Sequence, residues 1–320
     1  MIKDLDTKIA VTYGEQKISY SELRRTVAEW ALNYSLEAGD HVVIFAENSP
    51  AWIFALYSIW QKGGIAIPVD NLATAEETSY ILKDCEPKVI FTSGTRQEVI
   101  KKATALAGIS AEMFLLDNFQ LKNKVVQEVA VPHPDPDKTA LIVYTSGTTG
   151  DPKGVMLSYQ NLLTNIKAVS EHIPIYKPES TVMMLLPIHH VLPLVGSVII
   201  PLYIGAKVAI SPSMQSTDLM NTLKNNAVTI IIGVPRLYAA IRKGIMDKIR
   251  QSTIARMLFS IARKVNNPKF SRKVFNTVHQ KMGGSIESLV SGGASLDKEI
   301  GADFQTLGFE VLEGYGMTEA

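Results

Sequence analysis

Three short runs in the first hundred residues, HVVIF at 41–45, IAIPVD at 65–70 and KVIFTS at 88–93, are close to continuously apolar, and longer stretches with helical spacing separate them. A strand that is apolar on both faces must be covered on both faces, the condition met by parallel sheets with crossover helices. The pattern predicts βαβ units, a mostly parallel sheet and helices on both of its faces, a doubly wound α/β architecture. The crossovers carry their own punctuation. Ser21 is placed to cap a helix bearing Leu23, Val27, Trp30 and Ala31, and Pro50 opens a second through Trp52, Ala55, Leu56 and Trp60, closed by Gly63-Gly64.

Further along, the spacing predicts a helix near 160–172, a strand near 181–186, a buried helix near 191–204, a strand at 206–210, and strand then loop over TIIIGVPRLY at 229–238. Residues 129–138, VAVPHPDPDK, read as a connector. From 239 to 283 the chain turns basic and helical, which reads first as a solvated helical hairpin and, more sharply, as a surface for acidic lipid or for phosphates. At 320 residues the chain exceeds one ordinary domain, and the expected division lies near 180, giving units 1–180 and 181–320.

Charge and composition exclude several classes. Thirty-two basic against 31 acidic residues leave a net +1, no basis for a nucleic acid partner. The single cysteine, Cys85, permits no intrachain disulfide, reads as a core residue, and fits a reducing, cytoplasmic setting, as does a start without a leader pattern. Residues 182–206 carry no Asp, Glu, Lys or Arg, long enough to cross a bilayer, but Pro187, Pro193, Pro201, His189 and His190 argue for a buried strand, loop and core helix instead.

The chemistry concentrates at 140–157, ALIVYTSGTTGDPKGVML: a β-branched strand, a loop of hydroxyls and glycines, a lysine, and another apolar run. Gly147, Gly150 and Gly154 let backbone N–H groups approach phosphate oxygens, Thr145, Ser146, Thr148 and Thr149 add hydroxyl donors, and Lys153 adds a point charge. A Walker A loop needs wider glycine spacing and Ser or Thr after the lysine, and Gly154 stands there instead.

TSGTTGDPKG matches the pattern TSGTTGxPKG of the adenylate-forming (AMP-binding) superfamily, and three further segments resemble that family in its order. LPIHHVLPL at 186–194 places His190 where relatives line the acyl pocket, so the resemblance implies that His190 positions substrate. VSGGASL at 290–296 resembles a GGAPL segment whose backbone borders adenine, here Gly292, Gly293 and Ala294, with Ser295 in place of proline. EGYGMTEA at 313–320 resembles the YGxTE box, in which Tyr315 and Gly316 correspond to the adenine-stacking turn, Thr318 to a hydroxyl on the α-phosphate and Glu319 to the Mg²⁺ carboxylate. A carboxylate at a triphosphate needs a hard cation between them, so Glu319 implies magnesium on chemical grounds too.

The resemblance implies the large N-terminal domain of an acyl-CoA synthetase, using ATP, Mg²⁺ and CoA to convert a fatty acid to its adenylate and thioester. In that fold 181–320 would carry the acyl and adenine pocket elements. No aspartate stands near His190 to pair with an amino acid's ammonium group, and VPRLY followed by a long basic helical insert is similar to the long-chain fatty acyl branch. An acyl-AMP ligase serving a carrier protein, or a non-catalytic nucleotide-binding module, are the alternatives. Peripheral membrane contact is one expected interaction, and the oligomeric state stays open. The stop at Ala320 implies a truncated form lacking a ribose-binding aspartate, a hinge and a C-terminal domain with a catalytic lysine, hence weak nucleotide binding and slow turnover. Tyr159, where many relatives have histidine, implies a change in packing.

Overall fold

The computed structural model describes residues 1–118, 135–146, 151–173 and 175–319. Its strands are β1 (Ile9–Tyr13), β2 (Gln16–Ser19), β3 (His41–Phe45), β4 (Ile65–Pro68), β5 (Val89–Thr92), β6 (Glu112–Leu115), β7 (Thr139–Ser146), β8 (Pro152–Ser158), β9 (Thr181–Met184), β10 (Lys207–Ile210), β11 (Ile230–Gly233), β12 (Ser288–Ser291) and β13 (Glu310–Glu313). Its helices are α1 (Tyr20–Ala31), α2 (Pro50–Gln61), α3 (Ala75–Cys85), α4 (Gln97–Ala107), α5 (Tyr159–His172), α6 (Val191–Leu194), α7 (Ile200–Ile204), α8 (Ser216–Asn225), α9 (Pro235–Arg250), α10 (Thr253–Val265), α11 (Pro268–Val274), α12 (Asn276–Lys281) and α13 (Lys298–Thr306). A π-helical segment, Val195–Ile199, joins α6 to α7.

Two sheets result. One runs β6-β5-β3-β4-β7-β8 and is parallel except for the β7–β8 hairpin; the other runs β13-β12-β11-β9-β10-β1-β2 and is parallel except for β1–β2. The chain does not divide cleanly between them: β1 pairs with β10, setting Val11 opposite Val208, so residues 9–19 belong to the sheet otherwise built after residue 180.

The apolar runs are buried on both faces as expected, and adjacent residues go to different cores. Val42 and Ile44 join one cluster while Val43 and Phe45 join another; Val182 and Met184 face one way while Met183 and Leu185 face the other. The shared cluster lies between the sheets and contains α1, α2, α5 and the 191–204 helix; α3 and α4 cover one outer face, and α8 to α13 the other. Each fully buried Ile, Val or Leu here is worth roughly 1.5–3 kcal/mol.

The 191–204 helix explains the uncharged stretch. Residues 193–202 are buried on all sides, and Gly196 lies so close to β11 that a Cβ there would sit 2.6 Å from Ile232 Cδ1. Pro201 offers no N–H, and the wider π turn before it relieves the clash a proline ring makes with a preceding α-helical carbonyl. Among the described residues no helix is long and apolar enough to cross a membrane.

Three expectations need correction. Ser19, not Ser21, caps α1: its side chain accepts from Glu22 N–H while the Glu22 carboxylate accepts from Ser19 N–H, a reciprocal capping box. The segment after β11 is a helix rather than a loop, because Pro235 takes the first turn of α9, where a missing N–H costs nothing. The basic region holds four helices, α9 to α12, rather than a hairpin. Cys85 is a core residue, its thiol pushed up to about 12 by burial, and Tyr159 packs edge-on against Trp60 with ring centres 6.1 Å apart.

The turn leading into β13 depends on Gly308, which has φ +89° and would place a Cβ 2.6 Å from the backbone nitrogen of Arg272 in α11. Gly108, with φ +67°, has open space around it. Gly108→Ala should cost about 1 kcal/mol from backbone strain alone, and Gly308→Ala about 3 kcal/mol or more because backbone must also move. Urea denaturation followed by circular dichroism measures both, and equal losses would contradict the packing of α11 against this turn.

Candidate active site

At the C-terminal edge of the seven-stranded sheet three strands end in register, with Gly233 opposite Ser291 and Ser291 opposite Glu313. The loops that follow are tied at their first residues. Gly292 N–H donates to Gly233 O at 3.0 Å, and Gly314 N–H donates to Ser291 O at 2.8 Å. A Cβ on Gly292 would lie 2.5 Å from Leu192 Cδ2 and 3.4 Å from Gly314 O, so the first turn of α6 settles closely onto this loop. Three of the sequence segments therefore meet: the one carrying His190, the Gly292–Ala294 turn, and the chain entering Tyr315. Glu313 secures the far side by accepting from Leu296 N–H at 3.1 Å, and the buried Tyr238 hydroxyl donates to Ile231 O and Val290 O beneath the strand ends.

The box that follows is open. Tyr315 is 96% exposed, Glu319 is exposed and Thr318 is half-buried, so an aromatic face and a carboxylate are presented to solvent just beyond β13. Among the described residues no group of three His, Cys, Asp or Glu is gathered for a metal. A magnesium ion held by one carboxylate and a substrate's phosphate oxygens needs no such cage.

His190 and His189 divide their roles. His190 is exposed at the N-cap of α6, whereas the His189 side chain is 12% exposed, with Nε2 3.1 Å from His190 Nε2 and Nδ1 3.8 Å from Asp70 Oδ1. Burial lowers the His189 pKa to about 4, and the neighbouring His190 pushes the same way against Asp70. His189 is therefore neutral near pH 7, and its approach to Asp70 is not an ion pair. Asn48 clamps the same loop from the other sheet: its Nδ2 donates to Leu186 O at 2.8 Å, and its Oδ1 accepts from Ile188 N–H at 3.3 Å. Asn48 and Asp70 were not singled out in the sequence; the signal available was a polar residue two or three positions past a buried strand, in ENS and in PVD.

On the six-stranded sheet Lys153 lies in β8 opposite Thr145 of β7 and is exposed. Gly154 has a packing reason as well as a binding one, since a Cβ there would meet Ile142 Cγ2 at 2.8 Å and the Tyr144 ring at 3.3 Å. Gly147, Thr148, Thr149 and Gly150 lie outside the described residues, as does the side chain of Ser146. Among the described residues no hydrogen bond or ion pair joins Thr145 or Lys153 to 292–294 or 314–319, so the contacts unite three of the four segments.

The depressed His189 pKa gives a pH signature. Between about 6.5 and about 4 the unfolded imidazole binds a proton that the folded one refuses, so stability is full above pH 6.5 and falls as the solution is acidified through that window. His279, buried and also shifted downward by burial, adds a slope of the same sign. His189→Asn should reduce this slope without abolishing it; urea midpoints measured at pH 7 and pH 5 check the result, and an unchanged slope would mean that His189 takes up its proton in the folded state.

The AMP-binding enzyme family matches residues 3–320. Among curated relatives, the long-chain-fatty-acid–CoA ligase FadD15 of Mycobacterium bovis is 25% identical over 334 residues, covering 92% of this chain and 54% of that protein. The long-chain-fatty-acid–CoA ligase ACSBG1 of Macaca fascicularis is 28% identical over 348 residues, covering 95% and 48%. The chain thus spans about half the length of the curated relatives it matches. Among solved structures, the inhibitor-bound N-terminal domain of FACL13 from Mycobacterium tuberculosis superposes with a TM-score of 0.76 at 21% identity over 98% of this chain and 72% of that one. ATP-bound MatB from Rhodopseudomonas palustris gives 0.74 at 23% identity over 99% and 58%. At these identities the superpositions establish the shared fold, while the match across residues 3–320 establishes the family: the chain belongs to the AMP-binding enzymes.

Proposed function

We propose that the protein activates a fatty acid. Its carboxylate oxygen attacks the α-phosphorus of ATP, the bond to the bridging oxygen of the β-phosphate breaks, and pyrophosphate leaves an acyl-adenylate; attack by the CoA thiol then gives the thioester and releases AMP. The observation that supports this reading is the junction of Leu192, Gly292 and Gly314 at one strand edge, where the segment read as facing the acid meets the segment read as facing adenine. No protein nucleophile is needed, so catalysis rests on positioning and charge stabilisation.

In this reading Tyr315, largely free of protein contacts, offers its ring to adenine, and the Gly292–Ala294 turn borders the same base. Thr145, Ser146, Gly147, Thr148, Thr149 and Gly150 donate to the β- and γ-phosphates beside the Lys153 ammonium, and Thr318 donates to the α-phosphoryl oxygens. Glu319 would hold magnesium, which when bound neutralises phosphate charge. His190, oriented by the neutral His189 and by the Asn48 clamp on the preceding loop, orients the incoming carboxylate. A fatty acid is favoured because both curated relatives named above are long-chain-fatty-acid–CoA ligases and the 186–194 segment itself carries no aspartate to pair with an amino acid's ammonium group.

ATP–pyrophosphate exchange driven by a panel of acids tests the proposal. Long-chain fatty acids should drive exchange above dicarboxylic, aromatic and amino acids; exchange driven only by another class, or ATP binding without exchange, sinks it. Lys153→Ala and Glu319→Gln should each slow exchange by roughly 10²-fold. Tyr315→Ala should raise the KM for ATP about tenfold while leaving kcat less affected.

A further inference from the structure

Helix α10 carries one broad apolar face, and only part of it reaches the core. Phe259 and Ala262 point into the core beneath the helices, with Ala255 and Leu258 packed beside them. Those residues account for the folding of the helix. A second line remains outside: Ile254, Met257, Ile261 and Val265, spaced three, four and four apart along one face and 68%, 57%, 40% and 50% exposed. Phe270, in the first turn of α11, adds a further exposed ring. A solvated helix does not place four consecutive outward turns of aliphatic side chain in water, so this line asks for a partner.

The charge around it identifies the chemistry. From 248 to 286 there are nine lysines and arginines and no aspartate or glutamate, while the other residues of the chain sum to a net −8. The neutral total hides a strongly divided molecule. Among the described residues no acidic group pairs with Lys248, Arg263, Lys264, Lys269, Lys273 or Lys281. Lys264 follows the stripe on the exposed arc of α10, and Lys269, Lys273, Arg272 and Asn276 line a shallow depression of about 410 Å³ on the adjoining helices. Arg272 is partly committed to structure, since its guanidinium donates to Ile286 O and Gly284 O.

We propose that the outer face of α10 and α11 docks on a bilayer containing anionic lipid. The helix would lie in the plane of the interface with Ile254, Met257, Ile261 and Val265 among the acyl chains, and the surrounding ammonium groups would meet lipid phosphates. Apolar side chains set the depth and cations supply the long-range attraction, so neither half suffices alone. This assignment does not rest on the ligase reading, and its readout is sedimentation rather than turnover.

The test is co-sedimentation with vesicles of phosphatidylcholine alone and of equimolar phosphatidylcholine and phosphatidylglycerol. The protein should bind the anionic vesicles and not the neutral ones, and release as salt is raised. Met257→Ser with Ile261→Ser, both at exposed positions, should lower the partition coefficient roughly tenfold or more while the circular dichroism melt stays unchanged. Lys264→Glu with Lys269→Glu should do the same. Failure to bind anionic vesicles overturns the proposal. Binding that the serine variant leaves intact also overturns it, because the face would then be a general polyanion surface. Finally, a solution dimer that the serine variant converts to monomer would give the stripe to a second copy of the chain and overturn it.

Discussion

A helix enclosed between two sheets has no side on which a charge can stay hydrated, and its sequence must be apolar in every direction. The 191–204 helix meets that condition, and much of the site's geometry follows from it. Packed against β11 at Gly196 and against the Gly292 turn at Leu192, it cannot slide without opening a core. Its first residues are therefore fixed relative to the ends of β11, β12 and β13, and His190, at its N-cap, is held at that edge by the same packing. Local helix preference would not have achieved this. Two prolines and a glycine within fourteen residues are poor helix formers, and the π turn before Pro201 is the accommodation that burial enforces.

The second anchor comes from the other sheet. Strand order there reverses at β3 and β4: the chain first steps from β3 to β4, then crosses back to place β5 on the other side of β3. Loops leaving such a reversal diverge and open a crevice at the strand ends, the usual ligand position in sheets of this type. In this protein Asn48 and Asp70 come from those two loops, and the crevice receives residues 186–190 of the neighbouring sheet. The same short loop is thus tied to both sheets. Low dielectric around His189 follows from that enclosure and keeps the ring neutral, leaving it able to share a hydrogen bond with His190 where two imidazolium rings would repel.

Much of this was legible in the sequence because the signals are local. Four unbroken apolar residues after His41 gave β3 at 41–45, and a proline at the first turn gave α2. The same proline signal stands at 235, where it opens α9 rather than a loop. Likewise the reciprocal spacing of Ser19 and Glu22 marks the start of α1 better than Ser21 does. What could not be read was long-range. Nothing in IAVTY announces that its partner is KVAI, nearly two hundred residues later, because parallel pairing is set by shared core rather than by any turn. The site shows the same division. Glycine and hydroxyl spacing exposed the motif residues, whereas Asn48 and Asp70 act through backbone groups and a ring that only the folded chain brings near.

Charge distribution carries the final step. A net charge near zero describes a molecule seen from far away, and at distances beyond a screening length that is the whole description. Closer in, the 248–286 region carries nine basic residues and no acidic one, while the rest of the chain is acidic in sum. An uneven charge distribution orients a protein in any external field, including that of an anionic surface, before any contact is made. An apolar stripe on α10 within the positive region converts that orientation into adhesion, because the attraction brings to the interface a helix with a line of exposed aliphatic groups to insert. The composition that argues against a nucleic acid partner for the whole chain is thus silent about this region, where sign, exposure and helical spacing agree.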